Sequence, residues 1–203
     1  ISKYINKGDR CLLISENRPE WMITDLSIMV AGGITVPAYT TYTQRDYEYI
    51  IDDCSPSIIF VSDNAQYEKI KNIIPKKKFI KKVIIFDFID ELNVDLNLNI
   101  NNIFKQDDYK INNFLELGIK RKDVACIIYT SGTQGNPKGV MLSHGGILSN
   151  CEGSIELLKP IVSSNPKFLT WLPLSHAYEH TIQFVQIAVA AKVFYAENIE
   201  KLI

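Results

Sequence analysis

Short apolar runs alternate along this chain with segments in which apolar residues recur at helical spacing. Runs typical of buried strands occupy 11–15, 34–39, 58–62 and 83–86, and a helical pattern follows each of the first three. Parallel strands need a crossover connection, which is usually a helix. The repeated order of strand, helix and strand therefore predicts an α/β fold, with a layered and mainly parallel sheet flanked by helices.

The first helix is bounded by residues that favour helix ends. Asn17 offers an N-cap before Arg18 and Pro19, and Gly32 with Gly33 is expected to end the helix. Apolar residues at helical spacing predict its buried face. The predicted face consists of Met22, Ile23, Leu26, Met29 and Val30.

The middle of the chain gives two further helices and one ambiguous stretch. Thr43 is a suitable N-cap for a helix over 44–54, and a third helix is expected over 64–74. From 87 to 105 the residues are mostly Asn, Asp, Leu and Ile, and no period dominates. We expect an exposed excursion there.

The last part returns to alternating elements. The pattern predicts a helix over 106–117, a strand over 124–129, a helix over 146–158, a strand over 168–174, a helix over 176–190 and a strand over 192–196. No internal repeat is visible.

Composition and charge exclude some classes of protein. Apolar residues make up 46% of the 203 residues, enough to fill a core, and 22 basic residues balance 23 acidic ones. A chain without a net field is not expected to bind nucleic acid. The four cysteines form no C-x-x-C pair, which favours reduced, buried thiols in a cytosolic protein. They are Cys11, Cys54, Cys126 and Cys151.

The ends of the sequence bear on its location. It begins at Ile1, without an initiator methionine and without the apolar region of a signal peptide, so we expect a fragment of a longer cytoplasmic protein. No apolar run approaches the roughly 18 residues of a membrane span. Any membrane contact is therefore expected to be peripheral. The sequence predicts no oligomeric state.

The segment YTSGTQGNPKGVMLSH, 129–144, contains three glycines directly after a predicted strand. Small residues at the carboxyl end of a central strand are typical of ligand sites in α/β sheets. Glycine allows positive φ and close backbone approach, hydroxyls donate hydrogen bonds, and a lysine suits phosphate oxygens. These residues favour a polyphosphate ligand, although a tight turn alone needs similar residues. They are Thr130, Ser131, Gly132, Thr133, Gly135, Lys138 and Gly139.

The glycine-rich segment is not one of the two commonest nucleotide loops. A Walker A loop requires G-x-x-x-x-G-K-[ST], whereas here Lys138 follows a proline. The G-x-G-x-x-G pattern of dinucleotide-binding proteins and protein kinases is also missing.

The segment YTSGTQGNPKGV resembles the phosphate-loop motif of the adenylate-forming enzymes, usually [ST]-S-G-[ST]-T-G-x-P-K-G. This family includes acyl-CoA synthetases, luciferases and peptide-synthetase adenylation domains. Residues 16–41 are similar to the early helix and strand of the family, particularly to their sequence in long-chain acyl-CoA synthetases. LPLSHAYEH, 172–180, resembles the family's L-P-L-x-H-x-x-E segment. Gln134 departs from the motif, where a second threonine is usual, but its amide still donates.

The resemblance implies an acid–thiol ligase that uses ATP, Mg²⁺ and coenzyme A. Such an enzyme activates a long-chain fatty acid to an acyl-adenylate and then forms the thioester. Residues 1–203 would be the N-terminal part of its large AMP-binding domain, inactive without the rest of that domain and the small mobile domain. The implied nucleotide-binding residues are Thr130, Ser131, Gly132, Thr133, Gln134, Gly135 and Lys138. Thr130 is also the implied metal ligand, and Lys138 and His176 are the implied catalytic residues.

Three alternatives stay open. Another adenylate-forming ligase would use an aryl, short-chain or amino-acid substrate. His176-Ala-Tyr-Glu-His180 also matches H-x-x-E-H, in which two histidines on one helix face ligate zinc and Glu179 is the general base. We expect His180 to be a packing or surface residue instead. The third alternative is a non-catalytic nucleotide-binding module.

Overall fold

The computed structural model describes residues 1–87, 97–100, 103, 115–130, 137–161 and 164–196. Its strands are β1 (Arg10–Ile14), β2 (Ile34–Ala38), β3 (Ile58–Val61), β4 (Lys82–Ile85), β5 (Asn97–Asn99), β6 (Val124–Thr130), β7 (Lys138–Ser143), β8 (Lys167–Thr170) and β9 (Lys192–Tyr195). Its helices are α1 (Pro19–Val30), α2 (Gln44–Cys54), α3 (Asn64–Ile70), α4 (His144–Leu158) and α5 (Ala177–Ala188).

Seven strands form one sheet in the order β5-β4-β3-β1-β2-β6-β7. Strands β1 to β6 run parallel, and β7 returns antiparallel to β6. Strands β8 and β9 form a separate parallel pair. Because six neighbouring strands share one direction, their carboxyl ends lie along the same edge of the sheet.

Both faces of the sheet are covered by helices. Leu12 and Ile14 of β1 pack with residues of α2 and α3, whereas Cys11 and Leu13 pack with residues of α1. A third cluster joins β6 to α1, α4 and α5. Strands buried on both faces explain the continuous apolar runs of the sequence. The predicted α/β fold is confirmed.

The predictions for the second half of the chain need several corrections. Strand β5 lies inside 87–105, where an exposed excursion was expected, and its last residue Asn99 is buried. Strand β7 was not predicted at all. The strand expected over 168–174 ends at Thr170. Most of the helix expected over 106–117 falls outside the described residues.

Helix α1 differs from its prediction in its cap and in its buried face. Arg18 occupies the N-cap position and its side chain makes no capping hydrogen bond, so Asn17 is not the cap. Ile23 and Val30 are about half exposed, at 47% and 46%. The buried residues are Trp21, Met22, Thr24, Asp25, Ile28 and Met29. The Asp25 carboxylate therefore lies in the middle of the buried face, although the spacing of apolar residues predicted only apolar side chains there.

Other local predictions are confirmed. Thr43 caps α2 in a reciprocal capping box with Asp46. Gly32 follows α1 with a φ of +81°, which favours glycine. The four cysteines are buried and unpaired, and burial raises the pKa of the Cys11 thiol to about 12. Within the described ranges, no helix has the length and apolar character needed to span a bilayer.

Candidate functional site

The candidate site lies along the edge formed by the carboxyl ends of β1, β2 and β6, which are neighbours in the sheet. Ser15 and Asn17 follow β1, Tyr39 and Thr40 follow β2, and Thr130 ends β6. In α/β sheets, ligands bind outside the carboxyl ends of the strands. The topology therefore brings the glycine-rich segment and the chain around Asn17 to one side of the molecule.

The glycine-rich segment connects β6 to the antiparallel strand β7. Thr130 is the register partner of Lys138, so these two predicted site residues face each other across the base of a hairpin. Both side chains are exposed. The other predicted nucleotide-binding residues lie outside the described residues, and they are Ser131, Gly132, Thr133, Gln134 and Gly135.

Helix α2 supports both strands of this hairpin through tyrosine hydroxyls. The Tyr49 hydroxyl donates to the backbone carbonyl of Pro137 at 3.0 Å, next to Lys138. The Tyr129 hydroxyl donates to the carboxylate of Asp53. Burial and this hydrogen bond raise the pKa of Tyr129, so its phenol keeps the proton that it donates.

Gly139 has a different role from the one that its motif suggests. It lies in β7 without a positive φ, so backbone freedom does not explain it. A Cβ placed there would meet Ile127 Cγ2 at 2.8 Å and Tyr129 Cζ at 3.4 Å. The residue is therefore small because Ile127 and Tyr129 occupy the space next to it.

His176 is the N-cap residue of α5, and its side chain is exposed. Its Nδ1 accepts a hydrogen bond from the backbone N–H of Tyr178 at 3.2 Å. In a neutral imidazole whose Nδ1 is an acceptor, the proton is on Nε2. His176 can therefore donate a hydrogen bond from Nε2 to an anionic group.

Asn17 joins the chain after β1 to the segment before His176. Its side-chain amide makes hydrogen bonds with the backbone of Leu172 and Leu174. A cavity of about 150 Å³ lies beside this contact. Residues that line it include Ser15, Asn17, Thr40, Trp171 and Ser175. Trp171 is 45% exposed and lines this cavity.

His180 is buried and binds Asp25 of α1, with 2.8 Å between His180 Nε2 and Asp25 Oδ2. Burial lowers the pKa of His180, but the charge and hydrogen bond of Asp25 outweigh it and raise the pKa to about 10. The expected packing role of His180 is confirmed in part, because the residue is buried in an ion pair.

The zinc alternative does not fit this arrangement. His180 directs Nε2 to Asp25, whereas His176 is exposed at the start of the helix. Glu179 is buried near Thr170, and burial raises its pKa. Among the residues that the structure describes, no three metal-ligating side chains come together.

Sequence reasoning missed four residues that support the site, namely Asn17 as a bridge, Asp25, Tyr49 and Asp53. Asn17 and Asp25 contact partners about 155 residues away in the chain. One signal was available for Asp25, since a carboxylate within an apolar helical face requires a partner.

The fold and the motif segments at one sheet edge define an α/β protein of the adenylate-forming class. The family model for the AMP-binding enzyme matches residues 2–202, and the chain belongs to this family. It is 32% identical to long chain acyl-CoA synthetase 3 of Arabidopsis thaliana, over 98% of this chain and 31% of that protein. It is 30% identical to the long-chain-fatty-acid–CoA ligase ACSBG2 of Mus musculus, over 91% of this chain and 29% of that protein.

Solved structures show the same fold. A long-chain-fatty-acid-CoA ligase from Archaeoglobus fulgidus superposes with a TM-score of 0.75 at 22% identity, covering 94% of this chain and 36% of that one. A red-emitting luciferase from Phrixothrix hirtus superposes with a TM-score of 0.80 at 20% identity, covering 97% and 38%. The chain thus spans under one third of the length of the two curated relatives.

Proposed function

We propose that this chain is part of a ligase that activates a long-chain fatty acid with ATP and transfers it to coenzyme A. In the first step the carboxylate attacks the α-phosphorus of ATP, which forms an acyl-adenylate and releases pyrophosphate. In the second step the thiol of coenzyme A attacks the acyl carbon, which forms the thioester and releases AMP. Residues 1–203 alone are expected to be inactive.

One observation supports this proposal above the others. Thr130 at the end of β6 and Asn17 after β1 lie at the same edge of the sheet, because β6 and β1 are parallel and separated only by β2. The Asn17 side chain contacts the segment that leads to His176. A nucleotide bound at Thr130 and Lys138 would therefore lie at the sheet edge to which Asn17 ties the segment before His176. That placement suits a reaction between the phosphate of one substrate and the carboxylate of another.

Lys138 is assigned to the charge that develops on the phosphates. An anionic carboxylate must approach a highly charged nucleotide, and repulsion opposes this approach. The Lys138 ammonium, the Thr130 hydroxyl and the glycine-rich segment between them would offset the negative charge as pyrophosphate leaves. The hydrogen bond from Tyr49 to Pro137 holds the backbone next to Lys138 in place.

Mg²⁺ is the metal that we assign to this reaction. The exposed hydroxyl of Thr130 at the end of β6 is a hard oxygen ligand, the type that Mg²⁺ prefers in proteins. Bound there together with substrate phosphates, Mg²⁺ supplies positive charge to the phosphate oxygens.

His176 is assigned to the carboxylate of the acid. Its Nε2–H can donate to a carboxylate oxygen, because its Nδ1 is already occupied by the N–H of Tyr178. This role holds the acid in position for attack and involves no proton transfer by His176.

The choice of a long-chain acid follows the relatives, both of which are named for long-chain substrates. An aryl, short-chain or amino-acid substrate is the competing assignment. A comparison of adenylate formation with acids of each class distinguishes them. A cytoplasmic location and peripheral membrane contact stay predictions.

The test is a Lys138→Ala variant of the full-length protein, in which pyrophosphate release and fatty-acid binding are measured separately. We expect adenylate formation to slow by roughly a hundred- to a thousandfold, the usual loss for one such donor. Fatty-acid binding should change little. Lys122→Ala is the matched control, because this exposed lysine precedes β6 at the opposite end of the strand.

Two results would contradict the proposal. Equal losses of adenylate formation and fatty-acid binding would remove the phosphate role of Lys138. Nucleotide binding by the full-length parent without pyrophosphate release from any acid would favour a non-catalytic module instead.

A further inference from the structure

The Asn17 side chain holds both sides of Pro173. Its Nδ2 donates to the carbonyl of Leu172 at 2.7 Å, and its Oδ1 accepts from the N–H of Leu174 at 2.9 Å. The carbonyl can only accept and the N–H can only donate, so these partners fix the orientation of the amide. Proline has no N–H of its own to anchor this stretch. The side chain of Asn17 therefore bonds the backbone groups of Leu172 and Leu174 on either side of this proline.

A short series of hydrogen bonds leads from this contact to the imidazole of His176. The N–H of His176 donates to the carbonyl of Pro173 at 2.9 Å, which closes a turn directly after the clamped residue. Inside the turn, Leu174 and Ser175 are buried, at 1% and 5% exposure. The imidazole Nδ1 then accepts from Tyr178 at the start of α5. The backbone on which His176 sits is thus fixed from Leu172 to the helix.

The other end of the same unit is also fixed to α1. One helical turn after His176, His180 forms its buried ion pair with Asp25. Asn17 precedes α1 by two residues, so α1 and its leading turn contact α5 and its leading turn at two points. The orientation of the His176 ring therefore depends on how α1 and α5 are docked.

Asn17 gives up its usual role to make this contact. An asparagine before a helix normally accepts a hydrogen bond from the first turn, yet the N-cap residue of α1 is Arg18, and no side chain caps the helix. Both polar atoms of the Asn17 amide are instead directed to a segment about 155 residues away. We propose that Asn17 is a positioning residue for His176, an inference that rests on the proposed function. It sets the distance and angle at which Nε2–H meets the carboxylate.

The experiment is a double-mutant cycle in the full-length protein with Asn17→Ala, His176→Ala and the combination. Palmitate is the acid, and pyrophosphate release measures adenylate formation. We expect Asn17→Ala to slow the reaction by about a hundredfold, as a misplacement of about 1 Å can do. Because Asn17 acts through His176, the combined variant should be no slower than His176→Ala alone.

Asn99→Ala is the matched control. The Asn99 amide donates to the carbonyls of Phe86 and Asp87, at 3.4 and 3.0 Å, so it also binds the backbone of another segment. It lies in β5 at the far edge of the sheet. Asn99→Ala should leave the rate within about twofold of the parent, although it removes similar hydrogen bonds.

A second variant, Asn17→Asp, keeps the inference testable if Asn17→Ala does not fold. Asn17→Asp keeps an oxygen that can accept from Leu174, but it replaces the donor to Leu172 with a carboxylate oxygen that faces the Leu172 carbonyl. Amide exchange at Leu174 should stay slower in Asn17→Asp than in Asn17→Ala, and adenylate formation should still slow because the bond to Leu172 is lost. Amide exchange in the peptide around 171–177 measures the contact directly, and the fastest exchange at Leu174 is expected in Asn17→Ala.

Each remaining outcome overturns the inference in a recognisable way. If Asn17→Ala slows the reaction by the same factor with and without His176, Asn17 acts independently of the histidine. An Asn17→Ala variant as active as the parent excludes any positioning role. If His176→Ala itself is as active as the parent, the role of His176 in the proposed function fails first, and the role of Asn17 fails with it.

Discussion

Two regions at the candidate site, the β6–β7 hairpin and helix α5, are held in place by different kinds of interaction. The hairpin of β6 and β7 is held by partly buried tyrosine hydroxyls that bind Asp53 and Pro137. Helix α5 is held by a fully buried ion pair, with His180 and Asp25 exposed by only 2% and 0%. Under the proposed function, the hairpin must exchange a phosphate ligand, whereas α5 must keep His176 in a single position. The buried ion pair therefore holds the helix that must stay fixed, and the partly buried hydrogen bonds hold the hairpin that must admit a ligand.

The ion pair provides the largest test of this contrast. Asp25→Ala should lower the free energy of unfolding by about 3–5 kcal/mol, because it leaves a buried imidazolium without a partner. Asp52→Ala removes the surface contact with Lys77 and should cost about 1 kcal/mol or less. Urea unfolding followed by Trp21 fluorescence in a Trp171→Phe background measures both. Trp21 is a suitable reporter, since its ring centroid lies 5.1 Å from that of His180.

Equal losses of unfolding free energy in the two variants would show that the buried pair contributes no more to stability than a surface pair. Replacing both members, with Asp25→Leu and His180→Phe, should recover much of the loss, because an apolar pair needs no compensation for lost hydration.

The same pair should make stability depend on pH. The pKa of His180 is raised to about 10 in the folded chain, against about 6.5 in the unfolded chain. The folded state therefore binds the proton more tightly, and this contribution is complete below about pH 6.5 and is lost as the pH rises through about 10. Between pH 7 and pH 10, the free energy of unfolding should fall more for the parent than for Asp25→Ala. Parallel curves would show that the pair does not hold the proton.

Smaller effects are expected in the hairpin. Gly139→Ala places a methyl group against Ile127 and Tyr129, and should cost about 1–3 kcal/mol of stability. Gly153→Ala is the control, because nothing lies within 4 Å of a Cβ in that part of α4 and alanine favours helix. We expect opposite signs for the two substitutions in thermal unfolding. A neutral Gly139→Ala would show that the strands can separate at little cost.

The smallest effect concerns the support from α2. Tyr49→Phe removes one hydrogen bond to Pro137 and should cost about 0.5–1.5 kcal/mol. In the full-length protein it should raise the KM for ATP more than the KM for the acid. Tyr47→Phe is the matched control, since its hydroxyl in the same helix donates to the carbonyl of Tyr39 instead. A rise in the KM for ATP in Tyr47→Phe alone would contradict the support that we assign to Tyr49.

The elements that sequence predicted and those that it missed differ in a physical way. Strands such as β1 and β3, and the capping box of Thr43, are set by residues close together in the chain. Asp25 and Asn17 could not be interpreted correctly, because their partners are about 155 residues away and only the fold brings them together.

Strand β7 was missed for a different reason. Its residues lie within the glycine-rich segment, 129–144, and Lys138 and Gly139 belong to the motif, so the pattern indicated a loop where the chain pairs with β6. For the candidate site, the motif supplied the residue types, but the support from Tyr49 and Asp53 required the structure.

The antiparallel return of β7 limits how this hairpin can change. Thr130 pairs with Lys138, and side chains on a strand alternate between the two faces of a sheet. A single inserted or deleted residue absorbed by the strand would turn the lysine towards the opposite face. The register therefore decides which face of the sheet carries Lys138, and the pairing of Thr130 with Lys138 is present here with glutamine at position 134.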